Sequence, residues 1–134
     1  INAIPEFILN PLANIGWGYE PAVSADAAKR FKDEIGLPVI ANGGFQEMSL
    51  MESTLLQGKA DILAMARPLL ANVNLLKLFQ QGINIPEKPC THCNRCIVRT
   101  ASYPLGCYDV SRFTSQQEME QEIMEWSATS DEQA

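Results

Sequence analysis

Four cysteines lie close together near the end of the chain, and their side chains are the ones best suited to metal chemistry. They fall within residues 90–107 and are Cys90, Cys93, Cys96 and Cys107. Four thiolates in so compact a pattern can hold a [4Fe–4S] cluster or a tetrahedral zinc ion. Free cysteine is also a good small core residue, so unligated packing stays a third interpretation.

Two short segments follow two apolar stretches and could bind an anion. Asn42-Gly43-Gly44 follows the first stretch, and Ala66-Arg67 follows the second. Glycine and alanine let backbone N–H groups approach a ligand closely, and arginine adds a permanent, forked positive charge. Each segment alone is more typical of a tight turn or a surface ion pair. Because they lie one βα unit apart, together they predict a phosphate-binding site.

The spacing of apolar residues predicts helices and strands in alternation, and these elements would position both segments. In chain order the predicted elements are a helix over 24–35, a strand over 37–41, a helix over 47–57, a strand over 60–66 and a helix over 73–81. The two apolar runs lack polar alternation, which is typical of strands buried on both faces of a parallel sheet. This order indicates an α/β protein with parallel strands and right-handed crossovers, in which ligands bind at the C-terminal ends of the strands.

The first predicted helix has the clearest local signals. Ser24 is its predicted N-cap, Asp26 lies in its first turn, and Gly36 is placed to end it. Its predicted buried stripe consists of Ala27, Ala28, Phe31 and Ile35.

The ends of the chain have weaker patterns. Residues 1–20 are expected to be the irregular end of an upstream strand and its loop, and residues 83–113 show no helical stripe. A final helix is predicted from Ser115, because Ser115 and Glu118 match a capping box. It is expected to end near Trp126, before a disordered acidic tail.

Composition and charge exclude some classes of function. The net charge is −6, from 16 Asp and Glu against 10 Lys and Arg, which argues against binding to nucleic acid. No apolar run approaches the roughly 18 residues that a membrane helix needs. The lack of a signal-peptide pattern and the clustered cysteines predict a cytoplasmic protein. The chain begins with Ile1 rather than Met, so we expect it to be a fragment or a processed product.

Three stretches resemble the old yellow enzyme family of NADH:flavin oxidoreductases, and most of all its 2,4-dienoyl-CoA reductase branch. They are PVIANGGF over 38–45, GKADILAMARPLLAN over 58–72 and PCTHCNRC over 89–96. The resemblance implies the C-terminal part of a (β/α)₈ TIM barrel, namely its last two or three βα units. It divides the chain into a partial FMN-binding barrel over 1–82, a cysteine-containing extension over 83–113, and an acidic C-terminal helix and tail over 114–134.

The resemblance also implies a cofactor and a reaction. The FMN phosphate would contact Gly43, Gly44, Ala66 and Arg67, with Asn42 lining the approach to the ribityl chain. NAD(P)H would reduce the flavin, which would then pass a hydride to an electron-poor C=C bond of a small molecule. The family's catalytic residues come from earlier strands of the barrel, so the resemblance assigns none in this chain.

The cysteine pattern departs from that of the family. The third cysteine, Cys96, comes one residue earlier than in the cluster-bearing branch, and His92 does not correspond to the family's substrate-binding histidine. A [4Fe–4S] cluster at the four cysteines therefore stays one interpretation among three. Two other interpretations of the whole chain stay open: a non-catalytic truncated barrel and a different phosphate-binding TIM barrel. The acceptor, the choice between NADH and NADPH and the state of any oligomer are not predicted.

Overall fold

A computed structural model of the chain describes residues 19–100 and 102–131. These residues form two compact units, 19–90 and 91–131. The elements of the first unit are helix α1 (Ala25–Ile35), strand β1 (Ile40–Asn42), helix α2 (Met48–Leu56), strand β2 (Ile62–Ala64), helix α3 (Arg67–Ala71) and helix α4 (Leu75–Gln80). Those of the second unit are helix α5 (Arg95–Arg99), a 3₁₀ helix (Val110–Arg112) and helix α6 (Gln116–Asp131).

Strands β1 and β2 form a parallel two-stranded sheet, as the βα pattern predicts. Ile40 pairs with Ile62, and at the other end of the strands Asn42 pairs with Ala64. Helix residues cover one face of the sheet, and the core there consists of Ala25, Ala28, Ala41, Phe45 and Ala60. The small alanines of this core let helix and sheet approach closely.

The prediction that both strands are buried on both faces is wrong for the described residues. Ile40 is 61% exposed and its register partner Ile62 is 55% exposed. The predicted stripe of α1 is also wrong in part, because Phe31 and Ile35 are exposed while Ala25 and Ala28 are buried. The physical reason is the same in both cases. A sheet of two strands, covered on one face, is too narrow to bury the apolar surface that the sequence provides.

The side chain of Asp61 makes two hydrogen bonds at the N-terminal end of the sheet. It accepts hydrogen bonds from the Val39 N–H at 2.8 Å and from Lys32 Nζ at 2.7 Å. The hydrogen bond from Lys32 is the main reason that the pKa of Asp61 lies below its ordinary value of 3.8, and the bond from Val39 adds to it. This carboxylate therefore links α1, the residue before β1 and the residue before β2.

The helix predicted over 73–81 is confirmed as α4, and α3, just before it in the chain, is a further short helix that the sequence did not predict. Asn72 lies between them in an extended conformation, with φ −143° and ψ 93°, which interrupts the helical hydrogen bonds. Its side-chain Nδ2 donates to the carbonyl oxygen of Lys88 at 3.0 Å. Leu75, at the start of α4, is fully buried. This tertiary hydrogen bond helps to hold the chain extended between α3 and α4.

The second unit contains more helix than the sequence predicts. Helix α5 and the 3₁₀ helix fall within 83–113, where no helix was expected. Helix α6 begins as predicted, since Ser115 Oγ accepts from the Glu118 N–H at 3.1 Å. The Glu118 carboxylate accepts from the Thr114 N–H at 2.7 Å, so the reciprocal bond of the capping box shifts by one residue. The helix continues to Asp131, so the predicted end near Trp126 is wrong.

A small apolar core orders the second unit. Tyr108, Met119 and Ile123 are buried together, and the Tyr108 hydroxyl donates to the carbonyl oxygen of Pro104 at 2.6 Å. A Cβ on Gly106 would lie 2.7 Å from Ile123 Cγ1, so glycine is needed for this close packing. Within the described parts of the chain, no helix has the length and apolar character required to cross a membrane.

Candidate functional site

The C-terminal ends of β1 and β2 lie at the same edge of the sheet. Asn42, the last residue of β1, is the register partner of Ala64, the last residue of β2. Neighbouring strands are about 4.8 Å apart. Gly43 directly follows Asn42, and Ala66 comes two residues after Ala64. The parallel pairing therefore brings the two predicted anion-binding segments to one edge, although they are far apart in sequence.

The turn after β1 presents two adjacent backbone donors. Gly43 and Gly44 have φ values of 120° and 73°, which other residues rarely adopt. Neither of their N–H groups has a hydrogen-bond acceptor among the residues that the structure describes. Adjacent N–H groups in such a turn are suited to an anion, because both can point at the same oxygen atoms.

Residues 20–24 hold this turn from one side. The Ala22 N–H donates to the carbonyl oxygen of Gly44 at 3.2 Å, and Ser24 Oγ donates to that of Asn42 at 2.7 Å. A Cβ on Gly44 would overlap the carbonyl oxygen of Glu20 and lie 2.6 Å from the Ala22 nitrogen. Gly44 is thus required by the protein's own packing, independently of any ligand.

Ser24 has a different role from the predicted one. It occupies the N-cap position of α1, but its side chain makes no capping hydrogen bond. The hydroxyl instead reaches Asn42, at the end of β1. The prediction of the helix start is therefore confirmed, and the prediction of a capping bond is wrong because a strand-end carbonyl oxygen competes for the hydroxyl.

The second segment of the site opens helix α3. Ala66 is exposed and Arg67 is partly buried. Pro68 lies in the first turn of the helix, where the missing N–H of proline costs nothing. Arg67 carries a permanent positive charge and lies three residues after Ala64, the last residue of β2, so its backbone is close to this edge of the sheet.

Two residues near the turn have no distinctive signal in the sequence. Gln46 is only 9% exposed, and its side chain is hydrogen-bonded to Tyr19. The Gln46 Oε1 atom has no hydrogen-bond partner within the described structure. Burial and the nearby Glu47 carboxylate raise the pKa of Tyr19, although the bond with Gln46 acts in the opposite direction. The sequence did not single out Gln46, because an isolated Gln predicts nothing by itself, and an isolated aromatic residue such as Tyr19 is more often a packing residue than a ligand contact.

The four cysteines form no disulfide and are partly buried. Cys90 ends the first unit and the other three belong to the second, where Arg112 Nη1 donates to Cys107 Sγ at 3.0 Å. Over 19–100 and 102–131, no group of three or more His, Cys, Asp or Glu side chains is placed to hold a metal ion. The [4Fe–4S] cluster, zinc and unligated interpretations of the four cysteines stay predictions.

Comparison with known proteins identifies related sequences. A family described as NADH:flavin oxidoreductase / NADH oxidase matches residues 16–85. A metal reductase of Desulforamulus reducens is 35% identical over 75 residues, which cover 56% of this chain and 11% of that protein. A 4,4'-dithiodibutanoate disulfide reductase of Rhodococcus erythropolis is 33% identical over 70 residues, which cover 52% of this chain and 17% of that protein. The matches thus span less than a fifth of the length of either relative. No solved structure matches the chain significantly.

Proposed function

Because the chain belongs to the NADH:flavin oxidoreductase / NADH oxidase family, we propose that it binds the phosphate of FMN at the C-terminal ends of β1 and β2. The observation that carries this proposal is that the N–H groups of Gly43 and Gly44 have no acceptor among the described residues, at the sheet edge from which β2 leads into Ala66 and Arg67. The two relatives described above are both reductases, which supports an oxidoreductase as the parent protein.

The residues at this edge fit the chemistry of a phosphate monoester. The N–H groups of Gly43 and Gly44 would donate to its oxygens, and the Arg67 guanidinium would add charge-assisted hydrogen bonds. The small side chain of Ala66 leaves the backbone accessible. Asn42 is exposed at the end of β1 and would face the carbon chain that carries the phosphate. An anion bound here would be held by donors that are already in place, which reduces the entropy lost on binding.

FMN bound at this site would supply hydride-transfer chemistry between NAD(P)H and an electron-poor C=C bond, whose reduction also takes up one proton from the surroundings. The role of the described residues is to bind and orient the phosphate end of the cofactor. We propose no catalytic residue in this chain. The names of the two relatives refer to a metal and to a disulfide, so these acceptors belong in any screen of the parent protein alongside activated alkenes.

The direct test is equilibrium binding of FMN and of riboflavin to the 134-residue chain, followed by flavin fluorescence. We expect FMN to bind more tightly than riboflavin, because only FMN carries the phosphate. Each charge-assisted hydrogen bond contributes about 1.5–3 kcal/mol, so the ratio of the two Kd values should exceed about 10. Equal affinities would contradict a phosphate site, and no FMN binding would contradict the proposal as a whole.

The exposed face of the sheet favours a second candidate for the chain by itself, namely a non-catalytic partial barrel. Ile40 and Ile62 lie side by side on the uncovered face, where a complete barrel would bury them. We expect this chain with added FMN to give no NADH oxidation above that of free FMN. Turnover by the isolated chain would contradict this candidate and leave the phosphate site in place.

A further inference from the structure

We propose that the Gln46 side-chain oxygen accepts a hydrogen bond from a hydroxyl group of the ribityl chain of FMN. This inference rests on the proposed function, since it assigns a further residue to the same cofactor. Nothing in the sequence pattern or in the family resemblance points to Gln46. The proposal comes from its burial and from its unmatched hydrogen-bonding capacity.

The Gln46 carboxamide is in an unusual state for a buried polar group. It is 9% exposed, and within the described residues its Oε1 atom has no donor. Leaving a buried acceptor unpaired is destabilising, so native proteins rarely keep one without a water molecule or a ligand that satisfies it. The other side of the carboxamide is engaged by Tyr19, which limits its rotation toward a different partner.

The position of Gln46 connects this unpaired oxygen to the proposed site. Residues 19–24 and 42–46 run beside each other, joined by the Tyr19–Gln46 contact, by the bond from Ala22 to Gly44 and by the bond from Ser24 to Asn42. The two chain segments therefore fix Gln46 next to the glycine turn.

The hydrogen-bonding chemistry of Gln46 Oε1 indicates which part of FMN it would contact. Oε1 is an acceptor and needs a donor, whereas a phosphate at neutral pH offers acceptor oxygens almost exclusively. Gln46 lies two residues beyond Gly44, a distance of at most about 7 Å along an extended chain. The donors attached nearest to the phosphate are the ribityl hydroxyls, so they are the groups that Gln46 can reach.

The test compares Gln46→Met, which keeps the size of the side chain and removes the carboxamide, with Gln57→Met at an exposed site after α2. FMN and riboflavin both carry the ribityl chain. We therefore expect Gln46→Met to raise the Kd of both ligands by a similar factor, about three- to tenfold for one neutral hydrogen bond. The thermal midpoint of the flavin-free variant should stay close to that of the unmodified chain, because loss of the bond to Tyr19 and removal of the unpaired buried oxygen act in opposite directions. Gln57→Met should change neither quantity.

Each other outcome has a definite meaning. If the unmodified chain binds no FMN, the proposed function fails and this inference fails with it. If the unmodified chain binds FMN and Gln46→Met binds it equally well, the phosphate site stands and the role of Gln46 is overturned. A loss of affinity for FMN alone would overturn the assignment to a ribityl hydroxyl. A loss of affinity accompanied by a large fall in the thermal midpoint of the flavin-free variant would overturn it as well, because the effect on binding would then follow from a structural role of Gln46.

Discussion

The hydroxyl of Ser24 donates to the carbonyl oxygen of Asn42 at 2.7 Å and so joins the start of α1 to the end of β1. The two residues are 18 positions apart in the sequence. The bond gives the strand-end carbonyl a partner at the point where the chain turns into Gly43 and Gly44. The direction of the two glycine N–H groups therefore depends on a contact made by the preceding helix.

Replacing Ser24 by alanine should test this dependence. We expect Ser24→Ala to lower the free energy of unfolding by about 1 kcal/mol, the usual contribution of one neutral hydrogen bond, and to weaken FMN binding. Urea denaturation and flavin fluorescence measure the two effects. Ser53→Ala is a matched control, because Ser53 Oγ donates to the Leu50 carbonyl oxygen at 2.9 Å within α2. Equal results for both variants would contradict a specific role for Ser24.

Alanine substitutions at Gly36 and Gly44 can distinguish the cost of backbone strain from the cost of steric overlap. Gly36 and Gly44 have similar φ values, 64° and 73°, but only Gly44 has atoms close to the position of a Cβ. Gly36→Ala should reduce stability by about 1–2 kcal/mol from the left-handed conformation alone. Gly44→Ala should reduce it by a further 1–3 kcal/mol or so, because residues 20–22 must move. Thermal unfolding of the flavin-free variants measures the two losses of stability. A smaller loss for Gly44→Ala than for Gly36→Ala would show that residues 20–22 can move at little energetic cost.

The charge of Arg67 should matter for FMN more than for riboflavin. Arg67→Ala removes a charge-assisted interaction of about 1.5–3 kcal/mol, so the Kd for FMN should rise roughly 10- to 100-fold. The Kd of Arg67→Lys for FMN should lie between those of the unmodified chain and Arg67→Ala, because lysine keeps the positive charge but lacks the forked guanidinium group. Arg30→Ala, on the exposed surface of α1, serves as the control and should leave both Kd values unchanged. An unchanged Kd for FMN in Arg67→Ala would remove Arg67 from the site.

The second unit should depend on pH through Asp109. Burial alone would raise the pKa of Asp109, but hydrogen bonds from Thr91 and Ser111 and the charge of Arg95 hold it below its ordinary value of 3.8. Because the pKa is lower in the folded chain than in the unfolded chain, the stabilisation is present above pH 3.8 and is lost as the pH falls through the folded value.

Asp109→Asn should therefore destabilise the chain at pH 7 by about 1.5–3 kcal/mol, the range for hydrogen bonds to a charged group. The difference from the unmodified chain should shrink as the pH falls below 3.8. Denaturant unfolding at several pH values measures it, with the exposed Asp33→Asn as the control. A difference that stays constant down to the lowest pH would show that the carboxylate charge is not the stabilising feature.

Apart from the short helix α3, the sequence predicted the order of elements in the first unit and the parallel direction of its strands. Helices α1 and α2 and strands β1 and β2 fall where periodicity placed them, although each strand has only three residues in the structure. Gly36 ends α1 as predicted. These features are local, because apolar spacing and turn residues act within a few positions of each other, and family membership follows from the same residues. Sequence patterns were therefore sufficient to bring Asn42–Gly44 and Ala66–Arg67 to one edge.

Tertiary structure alone decided how the edge is built. The hydroxyl of Ser24 was free, on sequence grounds, to cap α1, and the folded chain directs it to Asn42 instead. The close approach of residues 20–22 to Gly44 and the burial of Gln46 beside Tyr19 likewise depend on the path of the chain. Such contacts join residues about 20 positions apart, and their energies depend on distances that no local pattern encodes. The exposure of Ile40 and Ile62 has the same origin, because a strand is buried only where other elements cover both of its faces.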